Sequence, residues 1–163
     1  MPKQRWYPVA DAKIPKDVHD GFRRVLDMVY EQQDQGSPLS VYARGSATLT
    51  IGTTPSLVQG CSVILPRAGT WMVTGRFAIN VIGAGDLAKA ISGWLYVKGG
   101  KKNGAAVVKV PAAGTSVMAS QVWQVTVDRN DMAVLRVSKE TGATGTSTVD
   151  GANCTISAVW QGS

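Results

Sequence analysis

Histidine is almost missing from this sequence: one residue, His19, serves all 163 positions. A Ser-His-Asp relay would have to be built around that imidazole, which sits among Asp17 and Asp20 in a helical stretch. A solvent-facing helix position explains it more simply. Cysteine is nearly as scarce, and Cys61 and Cys154 lie far apart in apolar segments without metal-ligand spacing. A buried disulfide requires their strands to be neighbours. Two reduced core thiols are the favoured alternative, because cysteine packs as a small hydrophobe. No His/Cys cluster has zinc spacing, and no glycine-rich loop leads into a helix as a phosphate cradle would. No enzyme activity, metal or cofactor is expected.

Charge is sparse too, at 17% of residues against roughly 25% in ordinary soluble domains. Aromatic residues make up 7%. No apolar run reaches membrane-spanning length, and Met1 to Trp6 has no apolar stretch behind it of the kind a secretory leader needs. These features predict a chain made and assembled in a cytoplasm, without a membrane span. The sequon Asn153-Cys154-Thr155 is then a chance match.

What the sequence has in quantity is glycine, 18 residues, along with Val, Thr and Ser and a hydrophobic content of 44%. That composition fits one all-β core with many tight turns, plus a small appendage. A weakly charged exterior suggests that another copy or another protein covers part of it. The net charge of +6 is unevenly placed. Residues 1–34 carry six acids and six bases, whereas 35–163 carry five acids (Asp86, Asp128, Asp131, Glu140, Asp150) against eleven bases. An excess of this kind serves either a polyanionic partner or solubility.

Residues 1–16 hold three prolines and show no periodicity, so they read as an extended arm. Trp6, Tyr7, Pro8 and Ile14 make it a candidate for docking on a particle, since exposed aromatics favour a partner; a disordered terminus is the alternative. Asp17 to Gln33 is the one short α-helix expected. Pro15 suits its first turn, Asp17 and Asp20 favour its positive end, and Gln35-Gly36-Ser37-Pro38 stops it. Val18, Phe22, Val25 and Val29 fall on one packing seam. That 4-3-4 spacing fits a coiled coil between subunits, and equally a helix lying on its own domain.

From Leu39 the period changes to two. Alternation runs through Ser40 to Ala43, Ala47 to Ile51, Leu57-Val58, Val63 to Leu65, Trp71 to Val81, Ile91 to Val97, Ala106 to Val110, Val117 to Val127, Met132 to Val137 and Cys154 to Trp160. Turn-rich stretches separate them: 83–86, 99–104, 128–131 and 141–151. Nine or ten short strands so spaced describe an antiparallel β-sandwich or jelly roll. The expected organisation is an arm and helix over 1–36 and a sandwich over 37–163.

Several segments in order resemble the tumour necrosis factor and complement globular-head superfamily. Leu65-Pro66-Arg67-Ala68-Gly69-Thr70-Trp71 is similar to its proline-glycine-aromatic strand start, and Trp94-Leu95-Tyr96-Val97-Lys98-Gly99-Gly100 to its apolar strand ending in a glycine turn. Val125 to Leu135 resembles its strand, acidic turn, strand unit, and Cys154 to Trp160 its closing strand. The resemblance spans roughly residues 40–161. It implies a homotrimer packed about a threefold axis through apolar and aromatic residues. Trp94, Tyr96, Trp123 and Trp160 are each candidates for that axis or for the sandwich core, with the core favoured.

A collagen-like stalk and secretion signal, usual in that superfamily, are not seen. An arm and short helix heading the jelly roll instead resemble a bacteriophage virion structural protein, with capsid or tail proteins as partners. Capsid decoration is favoured; a receptor-binding tail fibre tip or a lectin-like module binding a host-surface glycan is the alternative. Lys98, Lys101, Lys102 and Lys109 form the candidate polyanion contact, against a solvated hairpin tip. No aromatic residue is interleaved in that loop, which argues against nucleic acid. Asp128 and Asp131 offer oxygen ligands to a cation, but a polar turn accounts for them more simply.

Overall fold

A computed structural model describes residues 39–86, 88–109 and 112–162, together with Arg24 and Val25. The chain divides into two compact units, Met1–Pro38 and Leu39–Ser163. Of the first, Arg24 and Val25 are helical, and Val25 is half exposed. The arm residues Trp6, Tyr7, Pro8 and Ile14 and the seam residues Val18, Phe22 and Val29 lie outside the described residues.

Among its described residues the second unit is an antiparallel β-sandwich of eleven strands: β1 (Ser40–Arg44), β2 (Leu49–Thr50), β3 (Ser56–Leu65), β4 (Gly69–Val81), β5 (Ala90–Val97), β6 (Gly100–Lys101), β7 (Ala106–Lys109), β8 (Thr115–Val127), β9 (Asp131–Lys139), β10 (Ser147–Val149) and β11 (Thr155–Gly162). The six-stranded sheet is centred on β4. Strand β8 runs along its whole length on one side. On the other side β11 pairs Thr70 to Arg76, and β10 pairs Ile79 to Val81. Beyond these lie β1 on β11 and β2 on β10. The five-stranded sheet runs β3-β9-β5, with β7 and β6 sharing the far edge of β5.

Two of these strands fall in stretches that the sequence pattern assigns to turns. Ser147-Thr148-Val149 is too short to show a period. It forms a strand because β4 runs on past the end of β11, and the exposed backbone groups of Ile79 to Val81 need partners. Gly100–Lys101 pairs with Tyr96 and Val97 because Lys98 and Gly99 both take positive φ, 53° and 75°, which gives a two-residue hairpin turn. In β3, the two short segments expected around Gly60 are one strand with a bulge. Its register jumps between Leu57 and Ser62, and Gly60 (φ 81°) lies so close to the Arg44 carbonyl that any Cβ would clash.

Inward positions alternate as the period-two pattern requires. Trp71, Val73, Phe77, Ile79 and Val81 of β4 are all buried, facing Ile91, Leu95 and Val97 of β5 and Ala133, Leu135 and Val137 of β9. The Phe77 ring lies directly on Gly93, where a Cβ would fall 2.4 Å from it. Glycine at this strand interior is therefore set by cross-sheet packing. Cys61 and Cys154 are buried free thiols. Burial foremost, then the neighbouring Cys154 thiol, pushes Cys61 up to about 12, and burial likewise raises Cys154.

One end of the sandwich is tied by charge. Asp86 is fully buried and accepts hydrogen bonds from Ser147 Oγ at 2.7 Å and Gly145 N–H at 2.9 Å. Lys139 Nζ stands 3.4 Å from its carboxylate and donates to the Gly145 carbonyl at 2.6 Å. Two stretches assigned to turns, 83–86 and 141–151, thus close on each other. No sequence spacing announces this pairing, because its members are 53 and 61 residues apart.

Candidate functional site

The two outer faces of the sandwich carry the side chains available to partners, and they are unlike. On the six-stranded sheet the pleat aligns successive rows across four strands. Ser40, Val159, Met72 and Gln124 form one; Tyr42, Ser157, Thr74 and Val122 the next; Arg44, Thr155, Arg76 and Ser120 a third. Tyr42, Met72, Met118, Val122 and Val159 stand exposed there, Tyr42 by 65%. Their neighbours are small and neutral apart from the two arginines. Around Arg44, Arg76, Met118, Asp150 and Asn153 the face dips into a hollow of about 510 Å³. Arg44 Nε donates to the Ala152 carbonyl, and Asn153 Nδ2 to Asp150 Oδ2 at 2.7 Å.

The five-stranded sheet turns a different set outward, with Leu57, Ile64, Val107 and Met132 exposed on it. Along β5, Trp94 and Tyr96 alternate with the buried Leu95 and Val97 and so lie half-buried on the outer face. The core position favoured for them by size does not hold. Ile91, Gly93, Leu95 and Val97 occupy the inward register of β5, which leaves the two rings outside. Trp123 is in the core, with its Nε1–H donating to the Gly104 carbonyl at 3.1 Å. Trp160 is partly buried at the sandwich end, its Nε1–H on the Ala68 carbonyl at 3.1 Å and Arg67 over its ring.

Each outer ring of β5 carries a cation. Lys101 is the cross-strand partner of Tyr96, yet its Nζ sits 3.2 Å from the centroid of Trp94. Arg136 is the partner of Trp94, and its guanidinium carbon lies 4.6 Å from the centroid of Tyr96. Trp94 Nε1–H donates to Ser138 Oγ at 3.2 Å, and Arg136 Nε is buried without a hydrogen-bond partner.

The four lysines read as one loop cluster therefore separate in the fold. Lys98 Nζ is engaged by Asp128 Oδ2 at 2.5 Å and Asp131 Oδ1 at 3.3 Å. The Asp128 hydrogen bond, then that of Asp131, raises the Lys98 ammonium above its ordinary value, and Lys98 lowers Asp128. Asp131 Oδ2 also accepts the Asp128 N–H at 2.8 Å, with Asn130 at φ 65°, so both carboxylates serve the turn and its lysine. Lys101 lies on Trp94, Lys102 is half-buried, and Lys109 is exposed at the end of β7. No group of His, Cys, Asp or Glu able to hold a metal occurs among the described residues. None of their helices is long and apolar enough to cross a membrane.

No family model matches the sequence, and no curated protein matches it. Solved structures share its fold. A structure of Eiger TNF from S. frugiperda aligns with a TM-score of 0.54 at 10% identity, over 77% of this chain and 93% of that one. Murine APRIL aligns at 0.52 and 7% identity, over 77% and 100%. A chain of infectious bursal disease virus, Gt strain, aligns at 0.55 and 13% identity, over 77% of this chain and 33% of the viral one. Residues 39–162 thus adopt a TNF-like jelly roll, a fold shared with a virus protein.

Proposed function

We propose that this chain is a non-enzymatic virion structural protein of a bacteriophage, a homotrimer that decorates a capsid or tail and is anchored through residues 1–36. The observation that carries the reading is the outer face of the six-stranded sheet. Tyr42, Met72, Met118, Val122 and Val159 are exposed on one sheet face, set among Ser, Thr and Gln. Soluble monomers rarely leave large apolar patches open, and the small side chains between these five let a second sheet approach closely. A second copy is the occupant proposed, three such faces meeting about a threefold axis. Arg44 and Arg76 lie toward one end of this face, beside Asp150.

Sedimentation equilibrium tests it. The intact protein is expected at three times the 17.2 kDa of one chain, and Met72→Glu with Val122→Asp at one times that mass. An intact protein that stays monomeric at micromolar concentration overturns the trimer. Removing residues 1–16 should leave the trimer intact and abolish particle binding; undiminished binding overturns the anchoring arm.

A further inference from the structure

We propose that the outer face of the five-stranded sheet binds an acidic polysaccharide, whose carboxylate or sulfate groups are held by Lys101 and Arg136 above the rings of Trp94 and Tyr96. The site stands apart from the trimer face and does not depend on it, since β5, β6 and β9 belong to the other sheet.

Charge is the first argument. Lys101, Lys109 and Arg136 point outward from this sheet, and among the described residues no Asp or Glu occupies an outward strand position on it. Neither Lys101 nor Arg136 has a carboxylate partner among the described residues, in contrast to Lys98. Arg136 goes further, with its Nε buried and unpaired. The buried Nε is closed to a ligand, so an anion meets the terminal amino groups of Arg136, which present a fork to a carboxylate or sulfate.

Preorganisation is the second. A free lysine or arginine loses substantial rotamer freedom when it clamps a ligand. Here the two cations are already laid on aromatic faces, crossing β5 from opposite flanks: Lys101 from β6 to Trp94, Arg136 from β9 to Tyr96. Trp94 and Tyr96 are two residues apart on one strand, about 7 Å, so the pair offers two anchoring points along a line. Ser62 and Ser92 supply hydroxyls on the same face.

The third argument separates sugar from nucleic acid. Bases bind to sheet faces by stacking on open rings. Both rings here carry cations on the faces they would offer, so base stacking requires displacing Lys101 and Arg136. A chain of charged sugars needs only the cations and hydroxyls.

The test uses the full chain and calorimetric titration with polygalacturonate, dextran sulfate, uncharged dextran and oligothymidylate of matched charge. Binding of one or both acidic polysaccharides is expected, with none for dextran; which of the two binds tells carboxylate from sulfate. Lys101→Gln with Arg136→Gln should weaken binding at least tenfold. Lys89→Gln with Arg129→Gln removes the same charge from residues that touch neither ring, and should change it less than twofold. No binding to either acidic polymer, equal losses in the two variants, or tighter binding of oligothymidylate overturns the proposal. Should the first variant fail to fold, Lys101→Gln alone, at an exposed position, carries the same criterion.

Discussion

The two outer faces of this sandwich are built by the same alternation, and both expose apolar side chains, yet they differ in how their cations are held. One is a neutral grid of Ser, Thr, Met, Val and Tyr with two arginines at one end. The other sets two aromatic rings under two cations, with no acid among its outward strand positions in the described residues. The +6 charge of the whole chain is therefore better understood face by face. The apolar part of the grid can be buried against a copy at little desolvation cost, away from the end where Arg44 and Arg76 stand. Cations over rings retain their charge for a partner that differs in kind. Because each sheet has one free face, the fold gives the proposed self-contact and the proposed ligand contact separate surfaces.

That separation holds only while the sheets are locked together, and three locks join them. The strongest is Asp86. Replacing it with Ala leaves Lys139 without its carboxylate and Ser147 without its acceptor, and should cost about 3–5 kcal/mol. Urea unfolding measures this, and a cost below about 1 kcal/mol would show that the sheets do not depend on the tie. Next is the contact of Gly93 on Phe77. A methyl group at 93 must displace the ring, so Gly93→Ala should cost about 1–3 kcal/mol as overpacking. Gly93→Ala combined with Phe77→Leu should recover part of that loss, and the lack of any recovery would place the strain elsewhere.

The smallest effect belongs to the buried thiols, Cys61 on the five-stranded sheet and Cys154 at the entry to β11. Unfolded Cys61 titrates near 9.0, and the folded residue near 12. Below pH 9 both states hold the proton and the contribution is whole. As pH rises from 9 towards 12 the unfolded chain ionises first, so stability falls, by about 1 kcal/mol at pH 10. Urea midpoints at pH 8 and pH 10 should differ accordingly, and the difference should shrink in Cys61→Ala. An alkaline loss that is the same in that variant would assign it to other groups.

Much of the sandwich was legible in the chain because a half-buried strand writes its burial as alternation. Trp71, Val73, Phe77, Ile79 and Val81 announced one buried face, and each is buried. Where a strand is only three residues long, as in Ser147 to Val149, its alternation is too short to leave a mark. The candidate site was harder still. Lysines 98, 101 and 102 are neighbours in sequence, yet the hairpin turn gives the first to Asp128 and the second to Trp94. The loop itself holds no aromatic residue; pairing supplies the rings from the adjoining strand β5, and Arg136 arrives from β9.

By itself, then, the sequence determined a mainly β chain with a basic jelly-roll region and the residues that alternate inward along its longer strands, because those properties are local and periodic. Tertiary structure decided which cation meets which ring or carboxylate, and which outward residues share a face. Both depend on strand register between residues far apart in the chain, as Trp94 with Arg136 or Tyr42 with Ser157, and register is set by the packing of the whole sandwich.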